Sequence, residues 1–84
     1  MRLVAAPNVE IPALLLLEER GYTVTVTRSA GAEQWTASRN DVEVLGDGPL
    51  QLLGLTSLLE ARGPSWGATD EQIHDALARF EIGP

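Results

Sequence analysis

Between Gly48 and Gly63 runs GPLQLLGLTSLLEARG, a helical pattern that is apolar nearly all round. A helix without a wet face is a buried helix. Pro49 opens it at the first helical position, where a missing N–H leaves nothing unpaired, and Gly63-Pro64 closes it. Leu52, Leu55 and Leu59 form one stripe at i, i+3 and i+7, while Leu50, Leu53 and Leu58 point in other directions. More than one neighbour must therefore dock on it. Gly54, Ser57 and Ala61 make a small-residue stripe on the same helix. A mid-helix glycine costs about 1 kcal/mol relative to alanine, so a closely approaching backbone is expected there, and Gly54→Leu is expected to overpack it.

The rest of the chain supplies the neighbours. Residues 1 to 7, MRLVAAP, read as a short strand through Leu3 and Val4 or as a loose arm ended by Pro7. In NVEIPALLLLEERG, Pro12 suits a first helical turn and Gly21 a stop, which predicts a helix from about Ile11 to Arg20. The consecutive leucines Leu14 to Leu17 span too wide an arc for a helix with a single buried stripe. From Tyr22 the period changes to two: Tyr22, Val24 and Val26 alternate with Thr23, Thr25 and Thr27, and EQWTAS and DVEVLG follow across turns at Ser29–Ala32 and Arg39-Asn40. Three antiparallel strands are predicted.

Register follows from the turns. Ser29 to Ala32 as a four-residue loop pairs Arg28 with Glu33, Val26 with Trp35 and Val24 with Ala37. Arg39 and Asn40 as central turn residues pair Ala37 with Val42 and Trp35 with Val44. Apolar then meets apolar throughout, with Tyr22, Val24, Val26, Trp35, Ala37, Val42 and Val44 on the core face and the threonines, Glu43 and Leu45 on the other. After the loop GPSWGA, Thr69 and Gln72 have capping-box spacing, and Ile73, Ala76, Leu77 and Phe80 form an amphipathic stripe ended by Gly83-Pro84. The fold class is α+β: residues 1–84 form a single small domain, α-β-β-β-α-α, with the helices on one face of a three-stranded antiparallel meander and a fourth short strand near Leu3 as an option.

Charge narrows the partners. Twelve acidic against six basic residues, all of the latter Arg, give a net charge of −6, the wrong sign for a phosphate backbone. No apolar run spans a membrane, Met1-Arg2 begins no signal peptide, and the absence of Cys suits a reducing cytoplasm. The chain reads as soluble and cytoplasmic, with no nucleic-acid or membrane partner.

Catalytic motifs fail on context. Gly63-Pro64-Ser65-Trp66-Gly67 fits G-x-S-x-G and is followed by Asp70 and His74, but a nucleophile elbow needs a strand before the serine, and here a helix precedes it. His74 has only Asp70 and Glu71 at helical spacing, too few for a specific metal site. The adjacent carboxylates Glu18-Glu19 and Asp70-Glu71 diverge by about 100° on a helix. Gly46-Asp47-Gly48 before Pro49 reads as a plain strand-to-helix turn. No cofactor and no metal are expected.

Three side chains stand out as binding candidates: Trp66, Tyr22 and His74. Trp35 has core partners by register, whereas Trp66 sits in a Gly/Pro loop and either plugs the core or faces a partner. The plug is favoured because a small core needs the area. The function expected is a small acidic, non-catalytic protein-interaction module with a basic partner. Two other readings stand beside it: a small-molecule binder or small enzyme with a site between helices and sheet, and a homo-oligomer assembled through the leucine-rich central helix.

Overall fold

A computed structural model describes residues 1–5 and 7–81. Its elements follow the expected order: α1 (Glu10–Glu19), β1 (Thr23–Ser29), β2 (Ala32–Arg39), β3 (Val42–Gly46), α2 (Pro49–Arg62) and α3 (Asp70–Phe80), with one 3-10 turn at Pro7–Val9 ahead of α1. The strands form an antiparallel meander in the order β1-β2-β3, and α1 and α2 pack on each other and on one face of the sheet. Residues 1–5 form no strand, and Leu3 is 88% exposed, so the optional fourth strand is absent. Gly83-Pro84, expected to stop α3, lie outside the described residues; α3 turns at Glu81, in the left-handed region at φ 53°.

Local signals account for most boundaries. α1 ends in a Schellman motif: the Gly21 N–H donates to the Glu18 carbonyl at 3.0 Å and the Tyr22 N–H to the Leu17 carbonyl at 3.0 Å. Gly21 supplies the required positive φ of 90°. The motif is sealed by the apolar pair that often accompanies it, since Leu17 and Tyr22 share the core with Ala37 and Leu52. Both bonds of the Thr69–Gln72 capping box are made, at 3.1 and 2.9 Å.

The first hairpin has the expected register, including Arg28 opposite Glu33, Val26 opposite Trp35 and Val24 opposite Ala37. Ser29 and Ala32 are themselves paired, so the loop is two residues long, and both Ala30 (φ 51°) and Gly31 (φ 80°) take the positive φ of a type I′ turn. The second hairpin differs from expectation. Arg39 pairs with Val42, Ala37 with Val44 and Trp35 with Gly46, so Trp35 and Val44 are not directly opposed. The turn falls on Asn40-Asp41 because Asn40 takes φ 55°, a conformation that asparagine tolerates better than arginine. The slip is two residues, an even number, so the core face survives it intact. Ala37 is fully buried, Val24, Trp35 and Val44 pack around it, and Thr23, Thr25, Thr27 and Glu43 face outward.

Helix α2 buries Pro49, Leu52 and Thr56 and half-buries Leu53, Leu55 and Leu59. Two layers do meet it, but it is not covered all round: Leu50 is 45% and Leu58 39% exposed. Of the small-residue stripe, Ser57 is half-buried, whereas Gly54 and Ala61 are exposed. A Cβ on Gly54 would meet nothing within 4 Å, so no backbone approaches, and the expectation of overpacking is overturned. The small buried positions on the two packed helices are instead Ala13 and Thr56, whose hydroxyl donates to the Leu53 carbonyl at 3.1 Å. Gly54→Ala should therefore raise stability by about 0.8–1 kcal/mol through helix propensity alone. Denaturant titration checks this, and a lowered midpoint would mean that the glycine is needed for a contact.

Candidate functional site

The Schellman turn sets Tyr22 at the rim of the core. The ring is 3% exposed, and the hydroxyl emerges beside the C-terminal half of α2, where it donates to Glu60 Oε1 at 3.2 Å. Arg39, at the end of β2, lies over the ring with its guanidinium carbon 4.4 Å from the centroid. The same guanidinium donates to the Arg20 carbonyl at 2.7 Å and approaches Glu60 at 3.5 Å. Arg20 Nη1 stands 3.9 Å from the other Glu60 oxygen and 3.5 Å from Ser57 Oγ. Tyr22, Arg39, Arg20 and Glu60 thus clasp the end of α1, the end of β2 and α2 together. The three charged members are each more than a third exposed, so solvent screens the ion pairs and the geometry matters more than the Coulomb energy.

Burial above all, aided by the charge and hydrogen bond of Glu60, pushes the Tyr22 phenol above its ordinary value of 10.0, against the opposing pull of Arg39 and Arg20. A phenol held neutral is a poor base or nucleophile at neutral pH. The raised value also has a stability consequence: its contribution is fully present below the unfolded value and fades as pH rises through the folded one. Tyr22 is the sole tyrosine, so phenolate absorbance reads it alone. The expected titration of the folded chain lies to the alkaline side of free tyrosine, and Tyr22→Phe should reduce the alkaline loss of stability. A folded-state midpoint at or below the ordinary value would show the hydroxyl to be hydrated.

Trp66 does not plug the core. It is 43% exposed in the loop that follows Gly63, and its carbonyl accepts from Arg62 Nε at 2.8 Å. The core is closed without it by Leu17, Tyr22, Ala37 and Leu52. Trp66 stands between two open grooves, one floored by Val44, Leu45, Leu55 and Leu59, the other running from Leu58 past Trp66 to Ala76 and Arg79 of α3. His74 is exposed on α3 and lines neither groove. The structure does not bring Tyr22, Trp66 and His74 together.

Helix α3 is the uncovered element. Its stripe is as regular as its spacing predicts, yet no residue of it is buried: Ile73 is 43% and Phe80 67% exposed, and Ala76 and Leu77 are half-buried. Arg79 pairs with Asp75 at 2.7 Å across one turn, on a side chain 60% exposed.

The turn ahead of α2 is occupied from within. Glu10 Oε1 accepts from the Leu50 N–H at 3.0 Å, and Gln51 Oε1 accepts from the Asp47 N–H at 2.7 Å. The carboxylate of α1 therefore sits at the positive end of the α2 dipole, where an external anion would have to displace it. Only the sequence separation of 40 residues hid this cap. At the same end of the sheet, Glu33 is held below the usual carboxylate range, first by the Arg28 hydrogen bond at 2.7 Å and then by that of Trp35 Nε1 at 3.1 Å.

Ser65 follows a helix and lies exposed in a loop, so the G-x-S-x-G match has no elbow. Among the described residues, no group of three or more His, Asp or Glu side chains converges as a metal site would require, and no helix is long and apolar enough to cross a membrane. Comparison with family models, with curated proteins and with solved structures found no match.

Proposed function

We propose that this chain is a small acidic protein-interaction module whose contact surface is built on α3 and Trp66, without catalysis. One observation supports this most directly: α3 is capped and regularly amphipathic, yet no residue of its apolar stripe is buried, and Ile73 and Phe80 are exposed. A helix of 11 residues is marginal in water by itself, and helical stability in proteins comes chiefly from packing the apolar face. A docking partner would provide that packing. Trp66 and Leu58 extend the same apolar surface toward α2, and tryptophan is prominent among residues that anchor interfaces.

Charge suggests the partner's character. With a net charge of −6, complementary potentials favour a partner with a basic surface around an apolar centre. The test is affinity purification from the source organism with the wild-type chain and with Phe80→Ser and Trp66→Ala. A basic protein retained by wild type and lost from both variants, with unchanged melting temperature, is the expected result. Its association rate should fall as ionic strength rises from low to physiological, where the Debye length is about 8 Å. Retention by both variants, or an acidic partner, would remove the proposal.

A further inference from the structure

The sheet has two free edges, and they are not alike. β3 is short, at five residues, and carboxylates guard it: Asp41, Glu43 and Asp47 lie within and beside it. β1 is seven residues long, pairs with β2 at every position without a bulge, and contains no proline. From Tyr22 to Ala32 the chain carries a single Arg and no carboxylate. Among the described residues nothing pairs with the outer backbone of β1. Proteins ordinarily blunt an edge of this kind with charge, proline or a bulge, because it is a template for another strand.

We infer that the outer edge of β1 is a homotypic interface, at which a second copy of this chain adds its own β1 antiparallel about Thr25 to make one continuous six-stranded sheet. The strand is self-complementary. Thr23-Val24-Thr25-Val26-Thr27 reads the same in both directions, so a twofold at Thr25 sets Thr23 against Thr27, Val24 against Val26 and Thr25 against itself. A twofold interface repeats every contact by symmetry, and here the palindrome makes each contact like with like, threonine on threonine and valine on valine. The pairing also keeps the faces in phase: the half-buried Val24 and Val26 continue one apolar layer, and the exposed Thr23, Thr25 and Thr27 continue the hydroxyl layer.

Two further features favour a second copy as the occupant. α1 rests on β1 and leaves Ile11 59% and Leu15 52% exposed, so the joint brings two such helices to one side of the extended sheet. The twofold also sets Arg28 of one copy opposite Tyr22 of the other, at the end of α1 where Glu18 and Glu19 are exposed. Within the paired segment Thr23–Thr27 no carboxylate opposes another, and Arg28 comes to the α1 end already bonded to Glu33 of its own chain at 2.7 Å.

The test is sedimentation equilibrium of the full chain across the micromolar range, where the expected species has twice the 9.0 kDa monomer mass. Thr25 is exposed and lies on the hydroxyl face, so Thr25→Glu and Thr25→Lys oppose like charges at the twofold while leaving the monomer core alone. Each should weaken the dimer about five-fold or more, and mixing the two variants should restore a heterodimer. Phe80→Ser and Leu58→Glu should leave the wild-type dimer unchanged. Hydrogen exchange on the wild-type chain serves as a reading independent of any substitution: outward-facing β1 amides should gain protection as concentration rises. A wild-type chain that stays monomeric, a dimer indifferent to Thr25→Glu, β1 amides unprotected in the dimer, or a dimer lost with Leu58→Glu would each overturn the inference.

Discussion

Leu52→Ala should destabilise this chain by about 2–5 kcal/mol, the range for truncating a fully enclosed leucine. Leu52 is 0% exposed and belongs to a cluster of four buried residues with Leu17, Tyr22 and Ala37. It is the one α2 member of that buried cluster, which takes Leu17 from α1 and Ala37 from the sheet. Its own surroundings leave little room to collapse: a Cβ added to Gly46 of β3 would stand 3.3 Å from Leu52 Cδ2. A domain of 84 residues has about 4–13 kcal/mol of stability in all, so this one truncation removes a large share. Leu50→Ala is the internal comparison, because Leu50 is 45% exposed on the same helix, and it should cost well under 1 kcal/mol. Chemical denaturation of both variants decides the point. Equal losses would mean that α2 is rotated from the orientation described.

How much of this was legible beforehand follows from how local each signal is. The Thr69–Gln72 box and the Gly21 stop depend on residues within a few positions of each other, and both are present as read. Strand faces depend only on parity. The second hairpin was therefore misplaced by two residues at Asn40 while every core-facing residue stayed on its side. α2 resisted reading for the opposite reason: in a helix apolar nearly all round, periodicity does not say which sector meets a neighbour. Gly54 was expected under a backbone and stands in the open, while Thr56, which no pattern marked, is fully buried. The premise that a small core needs the area of Trp66 fails because Leu17, Tyr22, Ala37 and Leu52 close the core without it.

The candidate site was the least legible part. Tyr22, Trp66 and His74 were picked by residue type, and they lie in three different settings. What Tyr22 meets, Glu60 at a separation of 38 residues and Arg39 across the sheet end, is a product of the tertiary arrangement. The stripe of α3 is legible as a stripe, whereas the exposure of Ile73 and Phe80 on it is not, since amphipathicity predicts a docking face without saying what docks. The β1 edge is similar. Its alternation announced a strand, but only the strand order left it outermost and unguarded.

Tyr22→Ala should be comparably damaging, at about 3–5 kcal/mol, the range for removing a buried aromatic ring. The ring is 3% exposed, seals the Schellman end of α1 against Leu17 and carries the Arg39 guanidinium on its face. Truncation opens the core and strips Arg39 of the surface it stacks on. Tyr22→Phe separates the two contributions of the side chain. It keeps the ring, the seal and the cation–π contact, and removes only the hydroxyl that donates to Glu60 at 3.2 Å. Glu60 is 38% exposed and regains water when that donor is lost, so the phenylalanine variant should lose only about 0.5–1.5 kcal/mol. Glu60→Ala removes the acceptor, and in the Tyr22→Phe background its further effect should be smaller than in wild type by the energy of the shared hydrogen bond. If Tyr22→Ala proves no worse than Tyr22→Phe, the ring contributes nothing to the core, and the clasp is held by its ion pairs alone.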